Sequence, residues 1–257
     1  MLVLLSCAKT MSAVSKVKVP LTTIPRFQKE AAEIALQMSQ FSVDELERLL
    51  RVNAKIAVEN YKRYQAFHAE TTPELPALLA YTGIVFKRLN PKDFSAEDFG
   101  YAQEHLRLTS FCYGLLRPLD VIRAYRLEGD VVLPELGNQT MFSYWQSRLT
   151  DIFIEDIKNA GGILCNLASD EMKSLFDWKR VEKEVRVITP GFQVWKNGKW
   201  ASVVIYIKMS RGEMTRFVLK NKIENPEELK HFSWEGFEFD ESLSDEKKFV
   251  FTNGKEI

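Results

Sequence analysis

The period of the apolar pattern changes several times along the chain. Leu2-Val3-Leu4-Leu5 is a short unbroken apolar run ending at Ser6, which predicts a buried strand. A helical period then takes over. Leu46, Leu49, Leu50, Ile56, Tyr61, Tyr64 and Phe67 approximate one face of a long helix. Its start is Phe41-Ser42-Val43-Asp44-Glu45-Leu46, where Ser42 can cap, Glu45 can reach back and Phe41 can staple onto Leu46. A second helix starts at Thr72-Pro73 and carries Leu75, Leu78, Leu79 and Phe86. A third starts at Ser95, with Phe94 stapled to Phe99, and is expected to run to about Tyr113, before Gly114 and Pro118.

The remainder mixes periods. Thr140 to Asn159 reads as a helix closed by Gly161-Gly162, and Ile163 to Ala168 as a short apolar strand. Val185 to Trp195 and Trp200 to Ile207 read as the arms of a hairpin. The Asn197-Gly198 turn suits it because both residues tolerate positive φ. Trp195 and Trp200 then face each other across the strands. Ser210 to Ile223 is a predicted helix. Phe237-Glu238-Phe239 and Phe249-Val250-Phe251 alternate like exposed-edge strands. There is no internal repeat and no long linker. The pattern predicts an α/β (mixed α+β) fold with a helix-rich first half and a mixed sheet, built as one compact domain over residues 1–257.

Composition narrows the function class. The 257 residues include 35 Lys and Arg against 35 Asp and Glu, with 46% hydrophobic residues, which fits a globular protein and disfavours a wholly basic coat protein. Cys7, Cys112 and Cys165 sit in apolar surroundings without a CxxC, so the reading is inert buried thiols in a reducing compartment. The first residues form too short an apolar run for a signal segment, and no run suits a membrane span, so the expected location is cytoplasmic, with no membrane partner. His68, His105 and His231 are isolated, and no GxSxG, GxGxxG or GxxxxGK occurs. Neither a metal site nor a cofactor is expected.

Two features carry candidate chemistry. The strands at Leu2 and Ile163 both run into polar clusters: Ser6, Lys9 and Thr10 after the first, Asn166, Ser169, Asp170 and Glu171 around the end of the second. Ligands in α/β sheets bind beyond the carboxyl ends of strands. There Lys9 can neutralise a phosphate and Asp170 or Glu171 can act as a base. An equally simple reading pairs Lys9 with Asp170 or Glu171 and lets Ser169 cap a helix. The second feature is charge segregation. Lys208, Arg211, Arg216, Lys220 and Lys222 face one acid, Glu213, between Tyr206 and Ile223; Arg107, Arg117, Arg123 and Arg126 face Asp120 between His105 and Arg126. If these segments meet, they make a cleft for a polyanion; otherwise they are solvated faces balanced by the acidic C-terminal stretch. Tyr113-Gly114-Leu115, between two predicted helices, fits the turn of a helix-hairpin-helix module, whose backbone N–H groups can hold a DNA phosphate.

The chain resembles the bacterial YaaA family of peroxide stress resistance proteins. The matching segments are Leu4-Leu5-Ser6-Cys7-Ala8-Lys9-Thr10, Gln103-Glu104-His105-Leu106-Arg107, Tyr113-Gly114-Leu115-Leu116-Arg117-Pro118-Leu119-Asp120, Tyr125-Arg126-Leu127-Glu128, Asn166-Leu167-Ala168-Ser169-Asp170-Glu171 and Arg211-Gly212-Glu213-Met214-Thr215-Arg216-Phe217. The resemblance implies a cytoplasmic α/β protein of unusual topology that limits free intracellular iron, and double-stranded DNA binding through a helix-hairpin-helix element and a positive cleft. It brings no established reaction. Cys7 stands where the family has Pro. Gly83-Ile84-Val85-Phe86-Lys87-Arg88-Leu89 replaces Gly-Asp-Val-Tyr-x-Gly-Leu, and Phe111 replaces a Gly. Ile84 alters the chain if the lost Asp is catalytic. Lys87 and Arg88 strengthen anion binding if that loop holds phosphate.

Two functions follow as expectations. The first is a stress protein binding double-stranded DNA or another phosphate polyanion through Arg107, Tyr113, Gly114, Arg117, Arg126, Lys208, Arg211 and Arg216. The second is an enzyme acting on a nucleotide or nucleic acid at Ser6, Lys9, Thr10, Asn166, Ser169, Asp170 and Glu171.

Overall fold

The computed structural model describes residues 1–256. A five-stranded sheet is built from β1 (Leu2–Leu5), β2 (Leu106–Ser110), β3 (Gly114–Leu116), β4 (Ile163–Asn166) and β5 (Arg186–Ile188), in the order β3-β2-β1-β4-β5. β1 runs parallel to both neighbours, with Val3 opposite Leu106 on one side and Cys165 on the other. Only β3 is antiparallel. All four residues of β1 are buried, as expected of a parallel strand covered on both faces. The chain goes from β1 to β2 on one side and later to β4 on the other. The carboxyl ends of β1 and β4 therefore flank a switch point, where such sheets open a crevice.

A second sheet carries β6 (Gly191–Lys196), β7 (Lys199–Ala201), β8 (Glu238–Phe239) and β9 (Val250–Glu256), in the order β7-β6-β9-β8. Its turn has positive φ at both Asn197 and Gly198, and Trp195 faces Trp200 with ring centroids 5.0 Å apart. β9 is not an edge strand. It lies between β6 and β8, and Phe249, Val250 and Phe251 are all buried. Tertiary packing overrides the alternation that suggested exposure.

The helices are α1 (Gln28–Met38), α2 (Val43–Leu50), α3 (Ala54–Ala66), α4 (Ile84–Leu89), α5 (Ala96–His105), α6 (Met141–Asn159), α7 (Trp178–Glu184) and α8 (Val204–Asn221). Ser42 with Glu45 and Ser95 with Asp98 form capping boxes, and Phe94 meets Phe99 at 5.6 Å. The expected long first helix is two. Arg51 turns left-handed at φ 51° and Asn53 caps α3 afresh. The helix expected from Thr72 is instead a short strand, Leu75–Pro76, paired with Val121–Ile122, then one turn at Ala77–Ala80 and α4. The N–H groups of Ala77 and Leu78 bond to the carbonyls of Asp120 and Pro118, not to a preceding turn.

The third predicted helix stops at His105, not near Tyr113. Arg107 Nη1 donates to the carbonyls of Gln103, Glu104 and Leu106, satisfying the end of α5, and the chain enters β2. Tyr113 thus ends the turn between β2 and β3, and Gly114 and Leu115 open β3, pairing with Ser110 and Thr109. The turn joins strands, so the helix-hairpin-helix assignment is corrected. α8 starts at Val204, six residues earlier than predicted, and the second hairpin arm is correspondingly short. Most of the buried apolar side chains, from Met1 to Phe251, form one connected cluster that includes both sheets.

Candidate functional site

A cleft of about 330 Å³ opens beyond the carboxyl ends of β1 and β4. Its walls come from residues 5–10 after β1, residues 125–128, the Leu167-to-Met172 segment after β4, the start of α4 and the Lys208–Arg211 turn of α8. The position follows from the switch point. The side chains follow from the residues that end the strands.

The floor is held by hydroxyls. The Ser169 N–H donates to Ser6 Oγ at 2.9 Å, and the two seryl oxygens lie 3.3 Å apart. The Cys7 N–H donates to Thr109 Oγ1. Tyr125 forms part of the wall, and its hydroxyl meets Tyr81 Oη at 2.7 Å and Ser110 Oγ at 2.6 Å. Burial pushes both phenols well above their usual range, so they remain protonated and can satisfy one another. Burial likewise pushes the Cys7 thiol up to about 12, so it remains a thiol at neutral pH.

Charge is concentrated at the mouth. Lys9 Nζ contacts Glu128 Oε2 at 2.7 Å, and Arg126 Nη2 lies 3.2 Å from Glu128 Oε1. Lys208 and Arg211, three residues apart on one face of α8, line the opposite element. The Arg211 guanidinium makes no hydrogen bond or ion pair among the described residues, and its Nε is fully buried. Burial holds its pKa below the usual guanidinium value, partly offset by Asp170. The Arg126 Nε is buried and unpartnered too.

The structure therefore brings together Ser6, Lys9, Thr10, Ser169 and Glu171 with Arg126, Lys208 and Arg211. The other predicted residues lie elsewhere. Lys9 pairs with Glu128, not with Asp170, which is exposed and bound to Lys173 at 2.8 Å. Asn166 is buried beneath the floor, with Oδ1 accepting from the Ala168 N–H and Nδ2 unpartnered. Arg107 is buried against Asp156, Arg117 pairs with Asp120, and Arg216 pairs with Asp93. Tyr113 and Gly114 are buried. Those five residues do not line the cleft. Their packing or pairing explains why runs of positive sequence do not make one positive face. Glu128, Tyr125 and Phe86 were not predicted as site residues, and Ile84 was singled out only as a departure from the family pattern. The only signal for Glu128 was its place beside Arg126 in Tyr125-Arg126-Leu127-Glu128.

Among the described residues no group of three or more His, Cys, Asp or Glu side chains is arranged to hold a metal ion. No helix there is long and apolar enough to cross a membrane. The family model described as peroxide stress protein YaaA matches residues 1–243. The chain is 91% identical to a UPF0246 protein of Bacteroides thetaiotaomicron over 254 residues, covering 99% of each chain. It is 79% identical to one from Bacteroides fragilis, again over 99% of each chain, and 33% identical to one from Saccharophagus degradans over 98% and 99%.

Proposed function

Since the chain belongs to the peroxide stress protein YaaA family, we propose that it acts in peroxide defence by binding DNA, with a backbone phosphate held in the cleft by Arg211, Lys208 and Arg126. A cytoplasmic location goes with this reading. The observation that carries it is Arg211. A guanidinium withdrawn from water without a partner is costly, and its fork of donors matches a phosphate. Arg211 is half-buried, unpaired and beside a second cation on the same helix face. Limitation of iron-driven damage then follows from occupying the DNA that would be attacked, without any demand on a resident metal.

The test is binding to a short fluorescent duplex across a salt series. Replacing both Lys208 and Arg211 by Ala should weaken binding at low salt by at least about tenfold. It should also flatten the slope of log K against log salt by about 2, since each phosphate contact contributes about 0.9. An unchanged slope would remove these residues from the interface.

The size of the cleft favours a second reading. A concavity of about 330 Å³ lies in the range of small-ligand sites. Ser6, Ser169 and Glu171 after strand ends, with Glu128 opposite them in the cleft wall, are the groups an enzyme acting on a nucleotide would use. Free mononucleotide added to the duplex assay separates the two. Displacement at modest concentration favours the enzyme, and indifference favours DNA binding.

A further inference from the structure

A second, larger concavity of about 940 Å³ adjoins the cleft. The two share Phe86, and between them Thr82 Oγ1 donates to Thr10 Oγ1 at 3.2 Å. Its lining comes from three stretches: Ser12 to Lys18, Leu78 to Thr82, and Phe86 to Phe94. Four lysines stand along it, Lys16 and Lys18 from the first stretch and Lys87 and Lys92 from the third. All four are exposed, and none of their ammonium groups makes an ion pair or hydrogen bond among the described residues. The neighbouring cations behave differently, since Arg88 pairs with Glu213 and Arg216 with Asp93. The acid closest in sequence, Asp93, is taken by Arg216 and is not a lining residue. In a chain with as many acids as bases, a groove with four unpaired cations and no carboxylate is complementary to a polyanion.

We propose that this groove carries a single-stranded segment of nucleic acid continuing from the cleft, its phosphates following Lys16, Lys18, Lys87 and Lys92. The proposal rests on the DNA-binding reading of the cleft and extends it from one phosphate to a path. Lysines from two stretches line one concavity, and a positive groove that tracks the backbone is the common feature of single-strand binding. The floor residues Tyr81, Phe86 and Phe94 are buried, so recognition is of the backbone and carries no base preference. The two cations of α4 have different places. Lys87 turns to the groove, whereas Arg88 stacks over Trp234 at 5.1 Å and contributes to packing.

The experiment compares a blunt duplex, the same duplex with a single-stranded tail, and a tail-length oligonucleotide, each across a salt series. The proteins are the wild type and a variant with Lys16, Lys18, Lys87 and Lys92 all changed to Ala. Wild type should prefer the tailed to the blunt duplex by at least about tenfold. The variant should lose that preference, with the salt slope for the tail falling by about 3, since each single-strand phosphate contact contributes about 0.7. All four side chains are exposed, and the circular dichroism spectrum and melting temperature of the variant verify its fold. Equal wild-type binding to tailed and blunt duplex overturns the groove proposal while leaving the cleft reading intact. An unchanged slope in the variant, or equal competition by polyglutamate, does the same. Absence of binding to every DNA overturns both.

Discussion

Arg107 and Arg211 show how one residue type serves two purposes. Arg107 is buried, donates from Nε to Asp156 at 2.7 Å and spends Nη1 on three carbonyls. Arg26 approaches the other Asp156 oxygen at 3.1 Å. Arg107 therefore locks α5, β2 and α6 together, whereas Arg211 is left unpaired over a cleft. Removing one partner of a buried pair costs about 3–5 kcal/mol. Because Arg26 stays with Asp156, Arg107→Ala should fall near the low end, about 3 kcal/mol. Urea denaturation should show that loss, and duplex binding by the folded fraction should be unchanged. A loss of DNA affinity without a loss of stability would return Arg107 to the interface. The sequence placed both arginines in its two basic segments, but not which of them would meet a carboxylate. Asp156 is 49 residues from Arg107, and no local pattern joins them.

At the scale of elements, the contact between α4 and α8 sets one wall of the cleft. Gly212 permits it. A Cβ at that position would come within 2.3 Å of the Val85 carbonyl oxygen and 2.7 Å of the Arg88 Cβ. The carbonyl is backbone and cannot rotate away, so Gly212→Ala would force α4 outward. Ala gains about 1 kcal/mol over Gly in a helix interior, while overpacking costs about 1–3 kcal/mol. A clash with backbone falls in the upper part of that range, and the net expectation is a loss of about 1–2 kcal/mol. Ile84, Val85 and Phe86 line the cleft, so DNA binding should weaken as well. Thermal melting and the duplex titration check both effects, and a stabilised variant with wild-type affinity would contradict this account. The elements themselves were legible where local chemistry decides, as in the two capping boxes and the Asn-Gly turn. They were misread where a distant partner decides. Leu106 to Ser110 continued a helical pattern, yet β1 draws it into the sheet as a parallel neighbour.

For the whole molecule, the contacts of α8 with α5 and with the turn Pro91–Asp93 before it make stability depend on acid. Asp93 is held below its usual value of 3.8 by hydrogen bonds from Arg216. Burial raises Asp98, but Lys220 and the backbone and hydroxyl of Ser95 outweigh it, and the net shift is downward. A carboxylate whose folded pKa is depressed contributes stability above its unfolded pKa and loses it as pH falls through the folded value. The urea midpoint should therefore be level near pH 6 and decline below about pH 4. Asp98→Asn should lower the midpoint at pH 6 and approach wild type as pH falls through the depressed folded pKa of Asp98. A constant difference across that range would show that the Asp98 charge does not contribute.

The sequence by itself determined the mixed α/β character, the strand at Leu2–Leu5, the strand at Ile163, several helix starts and the Asn-Gly turn. It also put the polar clusters of the site at strand ends. These depend on residues a few positions apart, whose caps, turns and apolar runs are local chemistry. Tertiary structure alone decided which cations remain free. Arg107 and Arg216 are neutralised by the distant Asp156 and Asp93, whereas Arg211 and the groove lysines meet no carboxylate. Charge interactions act through space over a few ångströms, so folding decides which positive residues still need a partner.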